Sequence, residues 1–194
     1  MNAAITQEDY GNYLIKSGRL SGTYVARAFP KPPVKKKGLI AEASGKSEEA
    51  AIEALKIMIE ERDAERTASR RWEVRSGLSV PTEAEFEEAI DQTSLSTAQI
   101  AMLVAHAVSG EAGLLPNAMA SAAGYKSVET AEKTYKRAGT ALAAYLGIDL
   151  DGGDTPTGDG PARLLAYRER LKDSDDAQVW VMHPELRTAV LETL

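Results

Sequence analysis

The first 60 residues change from an irregular hydrophobic pattern to a strand pattern and then to a helical one. Residues 4–16 mix isolated apolar residues with polar ones behind an imperfect cap signal, which predicts a short helix that ends near Gly18. Residues 22–30 and 38–44 are rich in β-compatible residues and flank the segment PKPPVKKK. They predict an antiparallel pair of strands with a long basic tip, because proline keeps the tip out of the strand ladder.

A helix is predicted after this strand pair. Ser47 is a suitable N-cap, and the two acidic residues that follow it suit the positive end of a helix dipole. The run from there to position 75 ends in mostly charged residues, so the helix is expected to continue into solvent or toward a partner. Its apolar residues have the spacing of one helical stripe and can cover the strand pair: Ala51, Ile52, Leu55, Met58 and Ile59.

The clearest pattern in the chain lies between residues 96 and 147. Ser96 and Gln99 form a capping box, Pro116 can begin a second, short helix, and Ser127 can begin a third. Tight turns between the three predict a helix-turn-helix arrangement. The residues expected to face inward are Ile100, Leu103, Val104, Ala107 and Val108 in the first helix, and Val128, Ala131, Tyr135, Ala138, Leu142 and Tyr145 in the third.

The last 46 residues predict a flexible acidic linker at 149–160, a helix at 161–172, a strand at 178–182 and a final helix at 184–194. A lone strand needs a partner. Since a winged helix has a strand between its first two helices, the strand is expected to pair with Leu114 and Leu115.

These elements predict a mostly helical α+β protein in three parts. Residues 1–75 are expected to form a β-hairpin and a long helix, and residues 76–92 an acidic connecting helix. Residues 93–194 are expected to form a winged-helix-like helix-turn-helix domain that ends in a helix, a strand and a helix.

Composition narrows the class of protein. The 194 residues include 23 basic and 29 acidic side chains, for a net charge of −6, and no cysteine, which excludes disulfides and thiolate metal sites. The start of the chain lacks the basic stretch and apolar block of a signal peptide, and no window is apolar enough for a membrane span. These features favour a location in the reducing cytoplasm of a bacterial host cell.

Motifs for catalysis are incomplete. Gly45-Lys46-Ser47 resembles the end of a phosphate-binding loop, but Ile40 occupies the position where that motif needs glycine. Asp149, Asp151 and Asp154 have the start of a calcium-loop pattern, which then lacks its glutamate. The sequence therefore predicts a protein that is not an enzyme, with no catalytic residue, no metal and no cofactor.

Basic residues form two candidate surfaces for a partner of acidic character. One is the hairpin tip, where cations lie close to aromatic residues, and the other is the charged end of the long helix. Lysines at a hairpin tip can also serve only solubility, by keeping the strand edge unpaired. The predicted partner-binding residues are Arg27, Lys31, Lys35, Lys36, Lys37, Arg62, Arg66, Arg70 and Arg71.

The segment TAQIAMLVAHAVSG…NAMASAAGYKSVETAEKTYKRAGTALAAYLG resembles the helix-turn-helix module that precedes the nuclease domain in some HNH-type restriction endonucleases. QVWVMHPEL resembles the closing strand of that module, so the likeness covers about residues 93–194. Residues 22–60 are more weakly similar to the β-β-α units of HicB-like and double-stranded-RNA-binding folds. Nuclease signatures are missing, so cleavage is not implied. As a small, acidic, cysteine-free chain, the protein is also similar in class to phage anti-CRISPR and anti-restriction inhibitors.

The third helix decides between two functions. Glu129 and Glu132 fall in its first turns, which usually enter a DNA groove and would there face phosphates. The leading prediction is therefore an interaction protein that docks on a nucleoprotein complex of a host defence system, with an anti-CRISPR-type inhibitor as the main example. The alternative is a DNA-binding regulator or restriction-associated DNA reader. Its candidate nucleic-acid-binding residues are Lys126, Lys133, Lys136 and Arg137.

Overall fold

The computed structural model describes residues 5–31, 38–150, 159–171 and 178–194. Helix and strand are mixed in them, and 52% of these residues are helical. Contacts within the chain divide it into an N-terminal unit, Met1–Ala68, and a C-terminal unit, Ser69–Leu194.

The N-terminal unit is a four-stranded antiparallel sheet followed by one long helix. The strands lie in the sheet in their order along the chain, so each one pairs with the next. The elements are β1 (Thr6–Tyr10), β2 (Tyr13–Leu20), β3 (Thr23–Pro30), β4 (Ala41–Gly45) and α1 (Glu48–Ser69). The predicted strand pair and the helix after it are thus confirmed.

The short helix predicted over residues 4–16 is wrong, because this segment belongs to a hairpin of β1 and β2. The strands are joined at Gly11, whose φ of 52° favours glycine. Ile15 and Ser17 are buried while their neighbours in β2 are not, which is the period of a strand. The unit therefore has twice the number of strands that the sequence predicts.

One face of the sheet packs on α1. Ile15, Ala26 and Ala28 lie there without exposed surface, and so does Leu55 of the helix. Gly45 is needed at the start of α1, because a Cβ at this position would lie 2.5 Å from the backbone nitrogen of Ala51. Ser47 accepts a hydrogen bond from the Ala50 N–H at 3.2 Å, so the segment Gly45-Lys46-Ser47 acts here as a turn and an N-cap.

The C-terminal unit consists mainly of helices, with two short hairpins. The helix-turn-helix order is present, and Ser96 and Ser127 cap their helices as predicted. The elements are β5 (Arg71–Glu73), β6 (Leu78–Val80), α2 (Glu83–Gln92), α3 (Thr97–Val108), α4 (Pro116–Ala122), α5 (Val128–Leu146), β7 (Ala166–Arg170), β8 (Gln178–Met182) and α6 (Pro184–Thr193), with 3₁₀ turns at Gly110–Ala112 and Gly160–Leu164.

The helix predicted over 161–172 is also wrong. Its first residues form the 3₁₀ turn, and residues 166–170 form β7, which pairs antiparallel with β8. β7 thus supplies the partner that the strand at 178–182 requires. The predicted pairing with Leu114 is present as a single bridge, in which Leu114 and Trp180 exchange two backbone hydrogen bonds of 2.8 and 3.0 Å.

Three residues of the predicted apolar stripes are exposed. Met58 is 46% exposed, Val108 is 72% exposed and Val128 is 39% exposed. Val108 and Val128 lie at helix ends, where the neighbouring element no longer covers the stripe. Of the linker predicted at 149–160, residues 151–158 lie outside the described residues, and Gly160 begins the second 3₁₀ turn.

Candidate nucleic-acid interface

The three helices α3, α4 and α5 pack through small and medium apolar residues. Met102, Leu103, Met119, Ala131 and Leu142 are fully buried among them. The helix stripes predicted from the sequence therefore build this core. Their packing fixes which face of α5 remains in solvent.

A buried hydrogen-bond network ties α3 and α5 to β8. His106 Nε2 donates to the Trp180 carbonyl oxygen at 2.8 Å, because a carbonyl can only accept. His106 Nδ1 consequently accepts from the Tyr135 hydroxyl at 2.7 Å. Burial lowers the pKa of His106 to about 4 and raises that of Tyr135. His106 is completely buried.

A cluster around Arg168 determines the direction of the Glu132 side chain. Arg168 in β7 pairs with Glu132 on α5 at 3.1 Å and with the buried Asp159 at 2.8 Å. Its guanidinium also lies 4.3 Å from the centroid of the Trp180 ring. The Glu132 carboxylate therefore already has a cationic partner within the C-terminal unit. The sequence gives no sign of this pair, because its two members are 36 positions apart.

The solvent face of α5 carries three of the four predicted nucleic-acid-binding cations. Lys133 and Arg137 are exposed, Lys136 is half-buried beside them, and Lys126 is exposed in the turn before the helix. Glu129 is exposed on this face, and it pairs with Lys133 at 2.7 Å one turn away. The hydrogen bond from Lys133 lowers the pKa of Glu129. We call these four cations the α5 basic stripe.

The cations predicted at the hairpin tip are brought together only in part. Lys35, Lys36 and Lys37 lie outside the residues that the structure describes. Arg27 pairs with Glu42 across β3 and β4 at 2.5 Å, and Lys31 pairs with Asp9 at 3.2 Å.

The arginines predicted at the end of the long helix separate into two groups. Arg62 and Arg66 lie on α1, and each has an interaction within the protein. Arg70 follows the helix and pairs with the buried Glu85 at 2.7 Å.

Arg71 links two elements of the C-terminal unit, β5 and α6. It pairs with Glu73 at 2.8 Å and with Glu185 at 2.7 Å. Hydrogen bonds from Arg75 and Arg71 lower the pKa of the buried Glu73 to about 2. Arg70 and Arg71 therefore neutralise buried carboxylates of the C-terminal unit.

No family model, curated protein or solved structure matches the chain. The likeness to HNH-associated modules and to anti-CRISPR inhibitors therefore remains an expectation from the sequence. Within the described ranges, no helix combines the length and the apolar character that a membrane crossing requires.

Proposed function

We propose that the protein binds duplex DNA through the α5 basic stripe, with α5 as the recognition helix of a winged-helix-like domain. The observation that carries the proposal is that both glutamates in the first turns of α5 form ion pairs within the protein. Glu132 pairs with Arg168, which also pairs with Asp159, while Glu129 pairs with Lys133. The face that would meet phosphates thus has an excess of positive charge.

The order of the elements supports this proposal. A helix, the Leu114 bridge, two further helices and the β7–β8 hairpin follow one another, and the bridge pairs with β8 rather than with β7. This is the order expected for a winged helix. The three helices between them bury their apolar stripes and leave the basic stripe outward, as a DNA reader requires.

The overall charge limits the strength of the interaction. Four cations release few counterions, and the chain as a whole carries a net −6. We therefore expect weak binding to free duplex that disappears near physiological salt. Tight binding would require further contacts, which a nucleoprotein complex can supply.

Fluorescence anisotropy with a labelled 20-base-pair duplex tests the proposal. Replacing Lys136 and Arg137 together by Gln should weaken binding and reduce the slope of log K against log salt by about 2. A matched control is the double variant Lys46→Gln/Arg187→Gln, which removes two charges from other parts of the surface. Equal slopes for the two double variants would contradict the proposal.

A second candidate is docking on a protein of a host defence system, in the manner of an anti-CRISPR inhibitor. The specific observation in its favour is the acidity of α2, where Glu83 and Glu87 lie with Glu192 of α6 so that their carboxylate oxygens are within 4.8 Å of one another. Such a group could imitate phosphates before a basic surface. Affinity capture from a bacterial lysate that resists nuclease treatment, and is lost in Glu83→Gln/Glu87→Gln but not in the α5 double variant, would favour this candidate over DNA binding.

A further inference from the structure

The face of the N-terminal sheet that points away from α1 carries ordered rows of side chains. β2 and β3 bury every second residue against α1. The alternate residues of each strand therefore lie on the other face of the sheet. We call this the open face, since no described element of the N-terminal unit packs on it. The pairing register places Gln7, Lys16, Arg27 and Glu42 side by side in one row.

Two cations stand directly opposite each other in this row. Lys16 and Arg27 are register partners in β2 and β3, which places their Cβ atoms about 5 Å apart. Like charges at this position destabilise a sheet. Glu42 compensates Arg27 from the other side, whereas Lys16 has no ion pair with any described residue. The arrangement therefore favours the approach of an anion.

An aromatic ring lies next to the two cations. Phe29 is two residues beyond Arg27 in β3, so it lies on the same face about 7 Å along the strand. The Lys16 ammonium is 5.5 Å from the centroid of its ring. Phe29 is only half-buried, and its ring can accept a flat ligand from solvent.

The open face has a shallow, open depression at this place. A depression of about 640 Å³ is lined by Lys16, Arg27 and Phe29 at one end and by Val25 and Leu20 at the other. Gly18, the register partner of Val25, adds no side chain to the floor. A volume of this size accommodates a small ligand or one or two nucleotides of a flexible strand.

We propose that the open face binds single-stranded nucleic acid, with a base on Phe29 and the adjoining phosphate between Lys16 and Arg27. Two opposed cations, of which Arg27 is shared with Glu42, and an aromatic ring beside them supply the two groups that sequence-tolerant single-strand binding requires. A duplex offers no free base to Phe29, and an acidic peptide would use the cations but not the ring. The site lies in a different unit from the α5 basic stripe, so the two proposals can fail independently.

The test measures anisotropy of labelled 12-nucleotide dT and U strands with the full chain. Phe29→Leu keeps the apolar volume but loses the ring, and should weaken binding about fivefold or more, whereas Phe29→Tyr should retain it. Lys16→Gln should reduce the salt slope by about 0.7. Its melting temperature should stay equal or rise, because the opposed charges are relieved. The matched control is Lys46→Gln, which removes an exposed lysine of the same unit.

The two strands distinguish the sources of the ligand. Equal binding of dT and U assigns the site to base and phosphate alone, and tighter binding of U adds a contact to the 2′-hydroxyl. The proposal is overturned if Lys16→Gln behaves like Lys46→Gln, if Phe29→Leu binds like the unaltered protein, or if unlabelled duplex or polyglutamate competes as well as an unlabelled single strand.

Discussion

Three arginines of the C-terminal unit and two cations of the N-terminal sheet have opposite roles. In the C-terminal unit, Arg70, Arg71 and Arg168 reach carboxylates that are almost fully buried. In the N-terminal unit, Arg27 pairs with Glu42 in solvent, and Lys16 faces Arg27. A cation that satisfies a buried carboxylate is part of the fold, because its loss leaves a buried charge. A cation in solvent can be exchanged at little cost to folding, and this leaves it available for a ligand.

The largest effect is expected where this contrast is sharpest, at Arg70. Arg70→Met would leave Glu85, whose side chain is 2% exposed, without its charge partner. We expect a loss of about 3 kcal/mol or more in the free energy of unfolding. Arg27→Met is the comparison, because both members of its pair are 43% exposed, and we expect a loss of less than about 1 kcal/mol. Urea unfolding at neutral pH measures both, and similar losses in the two variants would remove the distinction between the units.

The second-largest effect is expected in mild acid, which should destabilise the C-terminal unit but not the N-terminal unit. The pKa of His106 is about 4 in the folded chain, below the ordinary value of 6.5. The unfolded chain therefore takes up a proton first, and the stability that this group provides at neutral pH is lost as the pH falls from about 6.5 through 4. We expect a loss on the order of 2 kcal/mol between pH 7 and pH 5. The N-terminal unit has no histidine and should change little in this interval.

Tryptophan fluorescence can follow the C-terminal unit alone, because Trp72 and Trp180 both belong to it. Urea unfolding at pH 7 and pH 5 should show a lower midpoint at pH 5 in tryptophan fluorescence. The transition in far-ultraviolet circular dichroism that does not coincide with the tryptophan transition belongs to the N-terminal unit, and its midpoint should be the same at both pH values. A tryptophan midpoint that does not depend on pH would contradict the assignment of a neutral, buried His106.

Removal of one hydroxyl should have a smaller effect. Tyr135→Phe leaves His106 Nδ1 buried without a donor, and we expect a loss of about 1 to 2 kcal/mol. Tyr145→Phe removes a hydroxyl that meets Glu88 at 2.6 Å in a partly exposed position, and should cost less. Thermal unfolding followed by circular dichroism compares the two. A larger loss in Tyr145→Phe would show that the network around His106 adds little to stability.

The sequence predicts the elements whose signals are local and misses those that depend on distant partners. Caps at Ser96 and Ser127 and stripes of one helical period lie within a few residues, so α3 and α5 are predicted correctly. In contrast, β1 and β7 have five residues each and few of these are apolar, so neither shows a strand period of its own. Each becomes a strand because a neighbouring strand supplies its hydrogen bonds, which no local pattern encodes.

The same limit applies to the candidate sites. The α5 basic stripe is visible in the sequence because three of its cations lie within about one turn of a predicted helix and Lys126 lies just before that helix. The direction of the Glu132 side chain is not visible in the sequence, because its partner Arg168 lies in a strand that the sequence predicts as a helix. The sequence does not predict Lys16 as a binding residue, for a similar reason. Its position opposite Arg27 exists only once residues 13–20 form a strand and the register is set.

The smallest change, Glu129→Gln, tests whether the α5 basic stripe is limited by its own carboxylate. Glu129 and Lys133 form an exposed pair one turn apart, with side chains that are 74% and 66% exposed, so the melting temperature should hardly move. Binding to the 20-base-pair duplex should strengthen, because the substitution frees Lys133 for phosphate and removes one repulsive charge. Lys133→Gln should weaken binding, and both effects should fade as salt increases. If Glu129→Gln leaves duplex binding unchanged while Lys133→Gln lowers the melting temperature, this pair serves the fold, as the arginines of the same unit do.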